Sequence, residues 1–153
     1  MSASRAYPVP VEAAFDRLVP APLHRVFARR YGPIPAVRST EDEPSEPWGH
    51  AGQVRTVRLA GGGSMREQLT RVDRPTTFCY TLSHVSGSMR LLAARVDGLW
   101  RFDPVGTGTR ITWQWSVHPA SRLAAPVLPV FALLWQKYAR QSLESIEQLL
   151  LPE

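Results

Sequence analysis

Asp97-Gly-Leu-Trp100-Arg-Phe102-Asp-Pro-Val-Gly106-Thr-Gly108-Thr-Arg-Ile111-Thr-Trp113-Gln-Trp115-Ser-Val117 is the stretch on which the fold turns. Ile111, Trp113, Trp115 and Val117 alternate with Thr112, Gln114 and Ser116, the period of a strand with one face buried and one face wet. A turn at Val105 to Gly108 folds this strand back on the preceding one. The expected pairs are Phe102 with Ile111, Trp100 with Trp113 and Gly98 with Trp115, so the missing side chain of Gly98 leaves room for an indole. The tryptophan face is the core face.

The same period runs back to Gln53, punctuated by turn residues. Gln53 to Leu59 turns at Gly61-Gly62-Gly63 into Met65 to Val72, and Asp73-Arg74-Pro75 leads into Thr76 to His84. Ser86-Gly87 then precedes Ala94 to Phe102 and Thr109 to Val117. A further strand is expected at Ala36 to Thr40 and another at Ser4 to Val9. Between those two, Pro10 opens a helix over Val11 to Leu18, and a second short helix runs from about Pro22 to Arg30, stopped by Gly32-Pro33. Glu41 to Pro47 is acidic and proline-bearing, so it reads as an exposed loop. After the last strand, a long helix begins between Ser121 and Val130 and runs to about Leu151. Leu128, Phe131, Trp135, Tyr138, Ser142, Ile146 and Leu149 make its buried stripe.

A chain of 153 residues with 44% hydrophobic and 20% charged residues suits one domain over residues 1–153. A single cysteine, Cys79, excludes an internal disulfide or a thiolate cluster. His24, His50, His84 and His118 show no metal-ligand spacing, so no metal is expected, and no cofactor fingerprint occurs. The N-terminus lacks the apolar core of a signal peptide, which leads us to expect a cytoplasmic protein. The longest apolar run, Leu123 to Trp135, is broken by Pro126 and Pro129 and is too short to span a bilayer, though peripheral membrane contact is compatible with it. The formal charge is +5, and 17 of the 18 basic residues are Arg. Arg25, Arg29 and Arg30 cluster, but the other arginines are spread along the strands beside acids, so nucleic acid is not an expected partner.

Strand, two short helices, a run of antiparallel strands and a long C-terminal helix make an α+β arrangement in which a curved sheet of about six to seven strands wraps one helix. The chain resembles the SRPBCC (START-like) superfamily of helix-grip proteins, which includes the polyketide cyclases. The resembling segments are Pro8-Val-Pro-Val-Glu-Ala-Ala-Phe15, Gly52-Gln-Val-Arg-Thr-Val-Arg58, Leu69-Thr-Arg-Val-Asp-Arg-Pro75, Gly98-Leu-Trp-Arg-Phe102 and Gly106-Thr-Gly-Thr-Arg-Ile-Thr-Trp113. Their order over nearly the whole length carries the resemblance. It implies a cavity between sheet and long helix that takes a lipid-like, sterol-like or aromatic polyketide ligand, in a monomer or homodimer.

Strand parity supplies the expected lining: Arg55, Val57, Glu67, Phe78, Tyr80, His84, Trp100, Trp113 and Trp115 from the sheet, with Phe131, Trp135 and Tyr138 from the helix. The tight turn at Asp73-Arg74 would set Leu69 opposite Phe78 and Glu67 opposite Tyr80, while Val57 faces Glu67 with Arg55 one diagonal step away. A carboxylate here is pulled up in pKa by burial and down by the arginine. Three readings stand. The first is a carrier enclosing a hydrophobic small molecule. The second is a cyclase or aromatase in which Glu67 acts as base, Tyr80 or His84 as proton donor and Arg55 as enolate stabiliser. The third is a protein-interaction module. An Arg55–Glu67 pair that only satisfies itself, or a one-residue slip that sends both to solvent, remains open beside them.

Overall fold

The computed structural model describes residues 1–151, and Pro152 and Glu153, the end of the expected 1–153 domain, lie outside the described residues. Its strands are β1 (Ser2–Tyr7), β2 (Val37–Glu41), β3 (Val54–Leu59), β4 (Ser64–Asp73), β5 (Thr77–Ser86), β6 (Ala93–Val105) and β7 (Gly108–Pro119). Helix α1 (Val11–Leu18) and α2 (Leu23–Val26) follow β1, and α3 (Leu128–Leu150) closes the chain. The second helix is thus shorter than its apolar spacing suggested. Short 3₁₀ turns occupy Ser88–Leu91 and Ala125–Val127.

All seven strands form one antiparallel sheet in the order β1-β7-β6-β5-β4-β3-β2. The meander from β2 to β7 is what consecutive hairpins produce. Only β1 departs from sequence order, returning beside β7, so α1 and α2 carry the chain from one edge of the sheet to the other. The curved sheet and long helix are those of a helix-grip fold.

The β6–β7 register agrees with the hairpin reading: Gly98 faces Trp115, Trp100 faces Trp113 and Phe102 faces Ile111. Two other registers differ from expectation by two residues. Arg55, not Val57, faces Glu67, and Glu67 faces Leu82 while Leu69 faces Tyr80. A bulge between Leu69 and Arg71 consumes one residue of β4. A displacement of two leaves every side chain on its expected face, so Arg55, Glu67 and Tyr80 still point inward.

The core lies between the concave face and α3. From α3 it takes Phe131, Trp135, Tyr138, Ala139, Ser142, Leu143, Ile146 and Leu150, so the buried stripe ends on Leu150 while Leu149 sits at its margin. Polar bonds fix the C-terminal half of the helix. Tyr7 donates to the Leu143 carbonyl at 2.5 Å, and Arg17 of α1 donates to the Leu150 carbonyl at 2.7 Å, meeting a carbonyl that the helix C-terminus leaves free.

The β1–β7 contact depends on Gly108, because a Cβ there would meet the Tyr7 carbonyl oxygen at 2.4 Å. That atom belongs to backbone pinned by the ladder, and the adjoining Thr109 hydroxyl is buried donating to the Val9 carbonyl. Gly108→Ala should therefore destabilise the protein by about 2–3 kcal/mol in urea unfolding, with the loss of the N-terminal strand visible as faster amide exchange in β1. An unchanged midpoint would contradict this packing.

Candidate functional site

The inner face of the sheet is largely apolar, and its buried charged groups among the described residues form one pair. On β3 and β4, Arg55 and Glu67 stand directly opposite, each 5% exposed, with Arg55 Nε donating to Glu67 Oε1 at 2.6 Å. The guanidinium lies 3.9 Å from the centre of the Trp48 ring, and its Nη1 is 3.8 Å from the Glu43 carboxylate, which is half-exposed. Arginine suits the position, because its planar fork binds a carboxylate edge-on while its face lies on an indole. Burial pushes the Glu67 carboxyl above its ordinary range. The charge and hydrogen bond of Arg55 oppose that rise without cancelling it.

Deeper in the cup, Tyr80 on β5 sits opposite Gly98 on β6. A Cβ at Gly98 would come within 2.0 Å of Tyr80 Cζ, so the space left by the glycine belongs to the Tyr80 ring rather than to the expected indole. From there the Tyr80 hydroxyl accepts the Nε1–H of Trp113 and of Trp115, each at 2.8 Å. Burial raises the Tyr80 pKa, more than the two indole bonds lower it, so the phenol stays neutral. Trp100 stacks on Trp113 with centroids 5.2 Å apart and planes 9° from parallel.

These walls enclose a cavity of about 70 Å³. Arg55, Val57, Glu67, Phe78, Tyr80, Trp100, Trp113, Trp115 and Tyr138, all expected to line it, do so. Phe131 and Trp135 do not. Both are buried, and Trp135 packs behind the lining with its ring 4.9 Å from that of Trp113. His84 is not in the cavity either. It occupies a bulge opposite β4 with φ of +50°, which turns its side chain to solvent, where Nδ1 is 3.1 Å from the Ser83 hydroxyl. The histidine is therefore removed from any proton-transfer set inside the cup.

The opposite wall comes from the end of α2, in the helix expected there, and from segments that sequence reading treated as connections. Val26 and Phe27 at the end of α2, Ile34 and Pro35 in the loop after it, and Trp48 beyond the acidic loop all line the cavity. Among its lining residues, Leu23, Pro35 and Trp48 are the half-exposed ones, so the cavity meets solvent between them. Tyr138 of α3 anchors this rim by donating to the Pro35 carbonyl at 3.0 Å. The signal available beforehand was a lone tryptophan, Trp48, following a proline-rich acidic loop. Cys79 lies on the other face of β5, half-buried, and burial raises its pKa, which leaves it a packing thiol.

Residues 1–150 match the family described as polyketide cyclase / dehydrase and lipid transport. The chain belongs to this family. The family lies within the SRPBCC superfamily that the sequence resembled, and family and fold together support hydrophobic-ligand binding or a cyclase-like activity. Among solved structures, Ara h 8.0201 is similar at 18% identity and a TM-score of 0.65, with 100% of this chain and 97% of that one covered. Ginseng major latex-like protein 151 from Panax ginseng is similar at 14% identity and a TM-score of 0.69, with 99% and 97% covered. At such identities these likenesses speak for the fold. No curated protein matches the chain in sequence. Among the described residues no cluster of His, Cys, Asp or Glu is suited to hold a metal ion, and no helix is long and apolar enough to cross a membrane.

The Arg55–Glu67 pair has a measurable signature. Because the folded chain holds the Glu67 proton more tightly than the unfolded chain does, this group's contribution to stability is fully present below 4.5 and is lost as pH rises through its higher folded value. Glu67→Gln should abolish that part of the slope, which urea unfolding between about pH 4 and pH 8 will show. Arg55→Met strands the carboxylate in an apolar wall and should cost about 3–5 kcal/mol near neutral pH, with a smaller loss in acid.

Proposed function

We propose that this protein binds an uncharged, largely apolar small molecule with ring character in the cavity between sheet and α3. The observation that carries this reading is the enclosed aromatic cup with one buried polar line, Trp48–Arg55–Glu67, running from its rim inward. Binding sites of this kind combine mostly apolar walls with a few placed polar groups. The family description, lipid transport on one side and cyclisation or dehydration of polyketides on the other, agrees with such a ligand. Volume narrows the choice. A cavity of about 70 Å³ is roughly half the ~150 Å³ that accommodates benzene in an engineered protein core. Even a single-ring compound thus requires some displacement of the rim formed by α2 and the 31–35 loop, and sterols or long acyl chains require far more.

The cyclase reading keeps one observation in its favour, a buried carboxyl with raised pKa in the same cup as a phenol. Against it, Glu67 is bound to Arg55, the Tyr80 oxygen is held by two indoles, and His84 faces solvent. We therefore favour binding without chemistry.

Titration with single-ring aromatics, aromatic polyketides, flavonoids, fatty acids and sterols should give a saturable change in tryptophan fluorescence for at least one class, since Trp100, Trp113 and Trp115 line the cup. Trp113→Ala should weaken that binding by more than its effect on folding explains. For a carrier, Glu67→Gln alters affinity or specificity and no product forms with either protein; for a cyclase, it cuts turnover by a factor of about 10² to 10⁴ while affinity falls little. No saturable response with any class would remove the binding reading.

A further inference from the structure

A phenolic hydroxyl has one proton to donate and two lone pairs with which to accept, whereas an indole N–H only donates. Trp113 and Trp115 both donate to the Tyr80 oxygen at 2.8 Å. Both lone pairs are thereby taken, and the hydroxyl proton is left to point elsewhere. The polar groups near enough to act on Tyr80 are the Glu67 carboxyl and the Tyr138 hydroxyl. Glu67 is bound through Oε1 to Arg55 and Tyr138 donates to the Pro35 carbonyl, and neither receives a hydrogen bond from Tyr80, whose bonds are those from the two indoles. Among the described residues none accepts the Tyr80 proton. A buried hydroxyl that can act only as a donor, in a residue that lines a cavity, defines the complement it needs.

We propose that the Tyr80 hydroxyl is the donor that orients the ligand, and that the ligand presents to it a neutral carbonyl oxygen, as in an aryl ketone or a quinone. This rests on the cavity-binding reading and deepens it. A carboxylate would not serve, because it brings a second negative charge towards Glu67 with a single donor to hold it in an apolar cup. An alcohol is a poorer fit, since its own proton would then need an acceptor. The two indoles make the arrangement selective: they fix the phenol oxygen and reserve its proton for an acceptor arriving from the cavity side. Trp100, Trp113 and Phe78 line the cavity alongside, so an aromatic ring next to the carbonyl would meet aromatic carbon.

The test is a matched pair of probes, acetophenone and α-methylstyrene, which differ in C=O against C=CH₂ on one skeleton. Binding to the wild-type protein by calorimetry should favour acetophenone roughly tenfold, the worth of one buried neutral hydrogen bond. In Tyr80→Phe the preference should fall to about one. Because that variant also leaves two indole N–H groups without an acceptor, the wild-type protein supplies a measurement that needs no substitution: the carbonyl stretch of bound acetophenone should move to lower wavenumber. Equal affinity of the two probes for the wild type, or an unshifted stretch, overturns the Tyr80 assignment and leaves the cavity-binding reading intact. If neither probe binds, the Tyr80 assignment is overturned, and the cavity-binding reading falls with it only if the fluorescence titration is silent with every ligand class.

Discussion

Gly98 carries no side chain, and a Cβ there would come within 2.0 Å of the Tyr80 ring. That vacancy lets the Tyr80 ring lie across the middle of the sheet with its hydroxyl beneath two indoles that are two residues apart on β7 and hence on one face. The indoles in turn position the rest. Trp113 stacks on Trp100 of the neighbouring strand, and both Trp113 and Trp115 pack on Trp135 of α3, with centroids 4.9 and 6.0 Å away. One glycine thus ties β5, β6, β7 and α3 into a single aromatic block, and the cavity is what the block does not fill.

Sequence periodicity reached this block because the β6–β7 hairpin has a short turn, and a short turn leaves the register little freedom. Parity alone then put Trp100, Trp113, Trp115 and Tyr80 on one face. Where the reading slipped, the size of the slip decided its consequence. The β3–β4 and β4–β5 registers were out by two, which exchanges partners but keeps faces, so Arg55 and Glu67 still met. At His84 an irregular residue with φ of +50° turned one side chain outward, and a period-two pattern carries no trace of such a bulge. The wall made by α2, the 31–35 loop and Trp48 was illegible for another reason. Leu23, Val26 and Phe27 carry helical spacing but Ile34, Pro35 and Trp48 carry none, and no local pattern says that these segments cover the cavity.

A charged pair within such a cup is costly unless its remaining valences are met. Arg55 meets them on three sides, with Glu67 inward, Glu43 outward and the Trp48 ring against its face. The acidic loop that looked like plain solvated linker therefore contributes Glu43 to the rim. Glu67 is less completely served, because its one bond goes to Arg55 and burial prevails over that partner in setting its pKa. The pair grades the site from a wet, charged rim to a neutral interior. A charge moved past the rim would meet a desolvation cost that an uncharged group does not.

Rigidity is unequally distributed around the cavity, and this bears on what can enter. Its floor is a seven-stranded antiparallel ladder whose central side chains stack on one another and on α3. Its outer wall includes α2, four residues long with no side-chain cap on its N-terminus, and a loop whose anchor to α3 in this region is the Tyr138 bond to Pro35. Opening a short uncapped helix disrupts few hydrogen bonds, whereas displacing the floor would break ladder bonds and aromatic contacts together. A molecule larger than the present cavity must therefore make its space at the rim. The Tyr80 and Glu67 side chains lie in the floor and are held there by the Trp113, Trp115 and Arg55 hydrogen bonds.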